Sequence, residues 1–263
     1  MARFFTIASS SAGNSYYAGS SSGGVLIDAG VCCSSITSGL EQAEVRPEKL
    51  HGILITHEHT DHIKGLNVFL KHFKIPVYAS EAVLEYLAAH GLVPAGSVLR
   101  EISFDGEAIG PVLVLPFRTS HDSVGSLGYS ISTPDQRRIT VATDTGYITS
   151  EAYARLRGSD LILIESNYEP SMLENGRYPY PLKKRIAGPC GHLSNTDCAI
   201  ALPDLVRSGV TRIMLAHLSK ENNLPELALS ASSYTLSAVG MKNGSDFLLS
   251  AAPRSELSPI NVF

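Results

Sequence analysis

The 263 residues carry 21 Lys and Arg against 25 Asp and Glu, a formal charge of −4, and 44% are apolar. This composition excludes a disordered, collagen-like or coiled-coil chain, and its mild acidity excludes a coat of positive charge for non-specific nucleic-acid binding. No apolar run is long enough to span a bilayer, and Phe4–Ile7 is too brief for a signal peptide, so a cytoplasmic protein is expected.

In chain order, short apolar or β-branched runs predict strands at Val25–Ile27, Ile53–Ile55, Val77–Tyr78, Val112–Leu115, Ile139–Ala142, Leu161–Ile164 and Ile213–Ala216. Helical patterns lie between several of them. Ser80 suits the N-cap of a helix over Glu81–His90 that stops at Gly91. Asn195 or Thr196 suits the cap of a helix running toward Gly209, which Pro203 should kink or shorten. Pro225 fits the first turn of a last helix ending near Gly240. With no repeat, linker or composition break, one layered α/β or α+β domain over residues 1–263 is expected. Cys32, Cys33, Cys190 and Cys198 form no C-x-x-C pair and read as reduced core thiols.

The chemistry concentrates after the Ile53–Ile55 strand, in Thr56-His57-Glu58-His59-Thr60-Asp61-His62. His57 and His59 alternate as on one face of an extended segment, so both reach one ion. Asp61 and His62 follow where a turn into a helix aims them at a neighbouring position. Neutral imidazoles with carboxylates suit a borderline ion such as zinc or manganese. A polar loop before a helix, with Asp61 merely capping, is the bland alternative; three imidazoles and two carboxylates in six positions weigh against it.

The run resembles the signature of the metallo-β-lactamase fold superfamily, and the superfamily's other pieces follow in order from about Ser9 to Asn223. Asp28, in Leu26-Ile27-Asp28-Ala29-Gly30, is similar to its supporting aspartate. His121 in Ser120-His121-Asp122, Asp144 in Thr143-Asp144-Thr145-Gly146 and His217 in Ala216-His217-Leu218-Ser219 are similar to its remaining ligands. The resemblance implies an αββα sandwich, two β-sheets flanked by helices, with two divalent ions, zinc or manganese. His57, His59 and His121 would hold one, Asp61, His62 and His217 the other, and Asp144 would bridge them. His59 stands where oxygen-reducing diiron relatives carry Glu, and Asp144 where many true β-lactamases carry Cys, which favours hydrolysis through a metal-bridging hydroxide over redox chemistry.

Further stretches bear on substrate. Ser9–Asn14 could offer backbone N–H groups to an anion, making Gly13 and Asn14 candidate contacts, or form a plain hairpin loop. Gly191-His192-Leu193-Ser194-Asn195 sets a histidine just before a helix N-terminus and is similar to RNase Z and RNase J phosphodiesterases, in which a non-ligand histidine meets the scissile phosphate. By that resemblance His192 and Asp61 are the catalytic residues, with Asp28 and Glu165 supporting the ligands. Lys183, Arg185, Ser194, Asn195 and Lys220 are candidate substrate contacts, and Tyr168, Tyr178 and Tyr180 could stack on bases. Together with Glu165–Glu169 and His217–Asn223, these stretches resemble the bacterial YycJ/WalJ group, which implies a 5′ DNA exonuclease that holds nucleic acid weakly and locally. Only 48 positions separate Asp144 from His192 and 23 separate His121 from Asp144, too few for the inserted domain of RNase J or the arm of RNase Z. The same site could instead serve a small-molecule hydrolase of a thioester, lactone or cyclic phosphodiester, or persist as a vestige in a non-catalytic binding protein.

Overall fold

The computed structural model describes residues 1–263. The chain opens with β1 (Ala2–Ser10), β2 (Gly13–Ser20) and β3 (Gly23–Ile27), followed by α1 (Cys33–Gln42) and β4 (Leu50–Leu54). Then come α2 (Thr60–Ile63), α3 (Leu66–His72), β5 (Val77–Ala79), α4 (Glu81–Ala89) and β6 (Leu99–Glu101). The middle holds β7 (Glu107–Ile109), β8 (Val112–Arg118), β9 (Leu127–Ser132), β10 (Arg138–Ala142), α5 (Ser150–Leu156) and β11 (Leu161–Glu165). The remainder is α6 (Pro170–Asn175), α7 (Tyr180–Ile186), α8 (Asn195–Arg207), β12 (Arg212–Ala216), α9 (Pro225–Ala238), β13 (Leu248–Ala251) and β14 (Asn261–Val262).

The strands form two mixed seven-stranded sheets, ordered β14-β1-β2-β3-β4-β5-β6 and β13-β12-β11-β10-β9-β8-β7. All seven predicted strands are present, within a few residues at their ends. No helix is long and apolar enough to cross a membrane.

Packing divides the chain into two compact units. The first comprises Met1–Pro116, Ser123–Arg137 and Pro253–Phe263. Its sheet is antiparallel from β14 to β3 and parallel from β3 to β6, and every residue of β3 is buried. Leu26, Ile53, Ile55, Ile36, Leu40, Phe69 and Leu87 pack one core between the sheet and its helices. The second unit comprises Phe117–Asp122 and Arg138–Ala252. There β10 to β13 run parallel, and Ile162, Ile164, Ile213 and Leu215 pack with Leu156, Leu202 and Leu236 of the helices. A parallel strand is covered on both faces, which is why these strands read as unbroken apolar runs.

Several local expectations need correction. Ser80 stands at the N-cap of α4, but its hydroxyl donates to Gly125 O (2.8 Å) instead of capping the helix. The cap of α8 is Ser194, whose Oγ accepts from Asp197 N at 3.0 Å, so Asn195 is already the first helical residue. Pro203 does not stop that helix, which continues to Arg207. All four cysteines are free, yet only Cys198 is a core thiol; Cys32 and Cys190 are exposed.

Candidate metal centre

In the first unit, parallel strands β3 and β4 deliver the motif residues from adjacent ends. Asp28 follows β3 with a left-handed backbone (φ 58°), a conformation Asp tolerates better than most residues. Its Oδ1 accepts from Thr56 N (2.8 Å), and its Oδ2 accepts from Thr56 Oγ1 (2.9 Å) and His62 Nδ1 (2.7 Å). Burial pushes the Asp28 carboxyl up, and the His62 ring and Thr56 donors oppose that push. With Nδ1 donating to Asp28, the lone pair of His62 lies on Nε2, where it could meet an ion. Gly30 is required beside them, because a Cβ there would stand 1.7 Å from Asp61 O.

His57 and His59 face each other with Nε2 and Nδ1 3.0 Å apart. Two nitrogens on one tetrahedral zinc, each about 2.0–2.1 Å from it, lie about 3.3 Å apart, so the pair fits a shared ion with small adjustment. His57 and His62 are fully buried, and an ion is held by the neutral form of such rings.

The second unit presents its own cluster from β10, β11, β12 and the loop before α8. Asp144 and His217 both adopt positive φ (56° each) just beyond β10 and β12. Such strained positions persist where the surrounding structure over-determines them. Ligand-type atoms of Asp144, Glu165, His192 and His217 all lie within 4.8 Å of one another. Buried Glu165 organises them. Its Oε1 accepts from His192 Nδ1 (2.7 Å) and His217 Nδ1 (2.9 Å), and its Oε2 from Thr145 N (2.8 Å) and Leu193 N (3.3 Å). Burial alone would raise the Glu165 carboxyl; the charge and hydrogen bonds of His192, with those of His217, outweigh it and hold the group well below the usual carboxylate range. Both imidazoles therefore turn Nε2 away from Glu165.

His121 donates from Nδ1 to Gly191 O (3.0 Å), which leaves its Nε2 3.8 Å from Asp144 Oδ1. Burial lowers the His121 pKa against the pull of Asp144, again favouring the neutral ring. The surrounding loop is zipped to 189–191 by Ser120 Oγ on Pro189 O (2.7 Å) and Asp122 N on Cys190 O (3.0 Å). Imidazole and carboxylate donors, buried and oriented by a second layer of hydrogen bonds, fit divalent metal ions in both clusters.

The structure gathers His57, His59, Asp61 and His62 in the first unit and His121, Asp144, His192 and His217 in the second. Several residues expected to meet substrate make bonds within the protein. Asn14 is buried, accepts from Ser10 N (3.1 Å) and Tyr16 OH (2.8 Å), and directs Nδ2 toward His62 Nε2 (3.1 Å) and Asp61 Oδ2 (3.3 Å). Gly13 is packed against Val31 and Gly30. Asn195 is fully buried in a network with Ser166, Glu169 and Asn223. Lys183 Nζ donates to Glu174 O (2.7 Å), and Arg185 pairs with Asp122 at 2.5 Å. Lys220 is exposed beyond His217, whereas Tyr168 is buried.

Sequence reasoning assigned no role to Thr56, Thr145, Asn167 or Asn223. Asn167 Nδ2 donates to His217 O (2.7 Å), and Asn223 Nδ2 to Ser166 O (2.8 Å) and Asn167 O (3.0 Å), fixing the backbone that carries His217. The only signal was their position beside the motif residues.

Comparison with known proteins agrees with this architecture. Residues 24–218 match the β-lactamase superfamily domain. The chain is 36% identical to exodeoxyribonuclease YycJ of Bacillus anthracis, over 93% of this chain and 92% of that one. It is 35% identical to exodeoxyribonuclease WalJ of Streptococcus pneumoniae serotype 2, strain D39, with the same coverage of each. The crystal structure of YhfI from Bacillus subtilis, a metallo-β-lactamase fold protein, superposes with a TM-score of 0.70 at 15% identity, over 98% of both chains. The fold, the ordered His and Asp motifs and these matches establish that the chain belongs to the β-lactamase superfamily.

Proposed function

We propose that the protein is a divalent-metal-dependent DNA exonuclease acting from 5′ ends, with His57, His59, Asp61, His62, His121, Asp144 and His217 as the ligands of two ions, zinc or manganese. Bound ions would supply Lewis-acid polarisation of the phosphoryl oxygens and water of lowered pKa. The chain's own part is orientation and proton handling. Asp28 and Glu165 set the tautomers of His62, His192 and His217, and Asp61, with a side chain 24% exposed, would accept a proton from the attacking water. His192 carries the phosphodiesterase reading: its Nδ1 is pinned by Glu165, its side chain keeps 19% exposure, and its Nε2 is turned away from that carboxylate. When both ring nitrogens carry protons, an imidazole so held can donate from Nε2 to a phosphoryl oxygen or to the departing oxygen. The identity to two exodeoxyribonucleases supports DNA as the substrate. Four free thiols, two of them exposed, support a cytoplasmic, reducing location.

The test is hydrolysis of 5′-labelled DNA and RNA, single- and double-stranded, with manganese or zinc, using wild type, His192→Ala and Asp144→Ala. Release of labelled mononucleotide from DNA is expected, with a loss of about 10²–10³ for His192→Ala at unchanged metal content. Undiminished DNA hydrolysis by His192→Ala would overturn its role. Hydrolysis of a small ester or lactone with no nuclease activity would overturn the DNA reading, and less than one ion per chain would overturn the two-metal assignment.

A further inference from the structure

Helix α7 is anomalous: none of its seven residues is buried. A short helix ordinarily persists by burying an apolar face, and this one is held by its ends. Pro179 and Pro181 sit at its start, and Lys183 reaches back to Glu174 O. At its other end Ile186 O accepts from His192 N (2.8 Å), and Arg185 pairs with Asp122. Gly191 is required there, since a Cβ would stand 2.2 Å from both Arg185 O and Ile186 O. The register of α7 is therefore fixed to His192.

The tethers consume Lys183 and Arg185 and leave Tyr180 and Lys184 outward. Tyr180 is 70% exposed, with Lys184 Nζ 5.5 Å from its ring centroid. Glu174–Ala187 carries four basic residues against one acidic residue, in a chain whose net charge is −4. An exposed ring backed by a cation, on a locally basic element, is the arrangement that stacks on nucleobases while the cation faces the phosphate backbone. Tyr180 lies six residues before Ile186, about 9 Å along the helix axis, or two to three stacked nucleotides of ~3.4 Å.

Building on the nuclease reading, we propose that Tyr180 stacks on an unpaired base near the 5′ end, with Lys184 beside it, so that the enzyme selects single-stranded ends. A paired base inside a duplex has both faces covered by its neighbours and a terminal pair frees only its outer face, whereas an unpaired base can turn a face to Tyr180. Tyr180 is a specificity residue and touches no reacting atom.

The experiment uses the full chain and two 5′-overhang oligonucleotides, one natural and one with abasic overhang positions. KM and kcat are measured for wild type, Tyr180→Ala and Tyr180→Trp. Wild type should favour the natural overhang by about 5- to 150-fold, carried in KM. Tyr180→Ala should bring that ratio close to one with kcat within about twofold, and Tyr180→Trp should restore it. Equal KM values for the two overhangs in wild type, or an unchanged ratio in Tyr180→Ala, overturn the stacking role while leaving the nuclease reading intact. No hydrolysis of either oligonucleotide by wild type overturns the nuclease reading and this inference with it.

Discussion

Replacing Glu165 by Gln is the sharpest single perturbation of the second cluster, because one carboxylate accepts four hydrogen bonds there. Glutamine keeps the shape but holds an acceptor on one side only. If its oxygen faces His192 and His217, its NH₂ group points at the N–H groups of Thr145 and Leu193. Two buried donors then go unpaired, at about 1–3 kcal/mol each. If the amide is reversed, NH₂ meets both Nδ1 atoms and drives the rings into the Nε2–H tautomer, removing the lone pair His217 needs as a ligand. The first arrangement costs about 2–6 kcal/mol of stability, and the second costs metal affinity, about 10–100-fold. Thermal melts in chelator together with calorimetric metal titration separate the two. In the first, the Glu165→Gln melting temperature should fall by roughly 5–20 °C. A variant that melts within 2 °C of wild type and binds metal with unchanged affinity would refute the assignment of Glu165 as the group that sets both histidines.

Other consequences are as direct. Gly30→Ala would thrust a Cβ to 1.7 Å from Asp61 O, where only backbone can give way, so a loss of about 1–3 kcal/mol or more in denaturant unfolding is expected along with weaker metal binding. Asn195→Ala strips partners from Ser166, Glu169 and Asn223 and should lower the unfolding free energy by about 2–4 kcal/mol, with little effect expected for Lys220→Ala. The Cys32 thiol, held down to about 7 by the Ser34 and Ser35 hydroxyls, should alkylate with a midpoint near pH 7. The thiolate forms as pH rises, so removing both hydroxyls should shift that midpoint upward; peptide mass spectrometry after timed iodoacetamide treatment reads it.

The parallel strands and the clustering of His and Asp residues were legible because both are strongly patterned: Leu161–Ile164 and Ile213–Ala216 are apolar runs, and the His57–His62 motif sets imidazoles and carboxylates at close spacing. The Ser9–Asn14 hairpin loop was legible as one of two readings, but the strands on either side of it were not. β1 and β2 bury Ser9, Ser10, Asn14 and Ser15, polar residues that read as loop until their partners are known. The structural bonds of the residues proposed to meet substrate were illegible for a related reason. Lys183, Arg185 and Asn195 have the residue types of a phosphate groove, but the bonds that claim them come from Glu174, Asp122 and Asn223, which no local pattern announces. The left-handed turns at Asp28, Asp144 and His217 lie in the same class: Asp and His there signal function, and only the backbone shows that they also bear strain.

The β14–β1 pairing brings the two chain ends together. Ala2 N donates to Phe263 O at 2.9 Å, and Phe263 N donates to Ala2 O at 3.2 Å. Ala2 and Phe263 thus lie side by side. A short Gly-Ser link between Phe263 and Met1 would join the ends, and the chain could be reopened at Gly91 or Gly96, where an added Cβ would meet nothing within 4 Å. Such a permutant would put the His57–His62 motif after every residue of the second unit in order of synthesis, with each motif residue's contacts within its own unit unchanged.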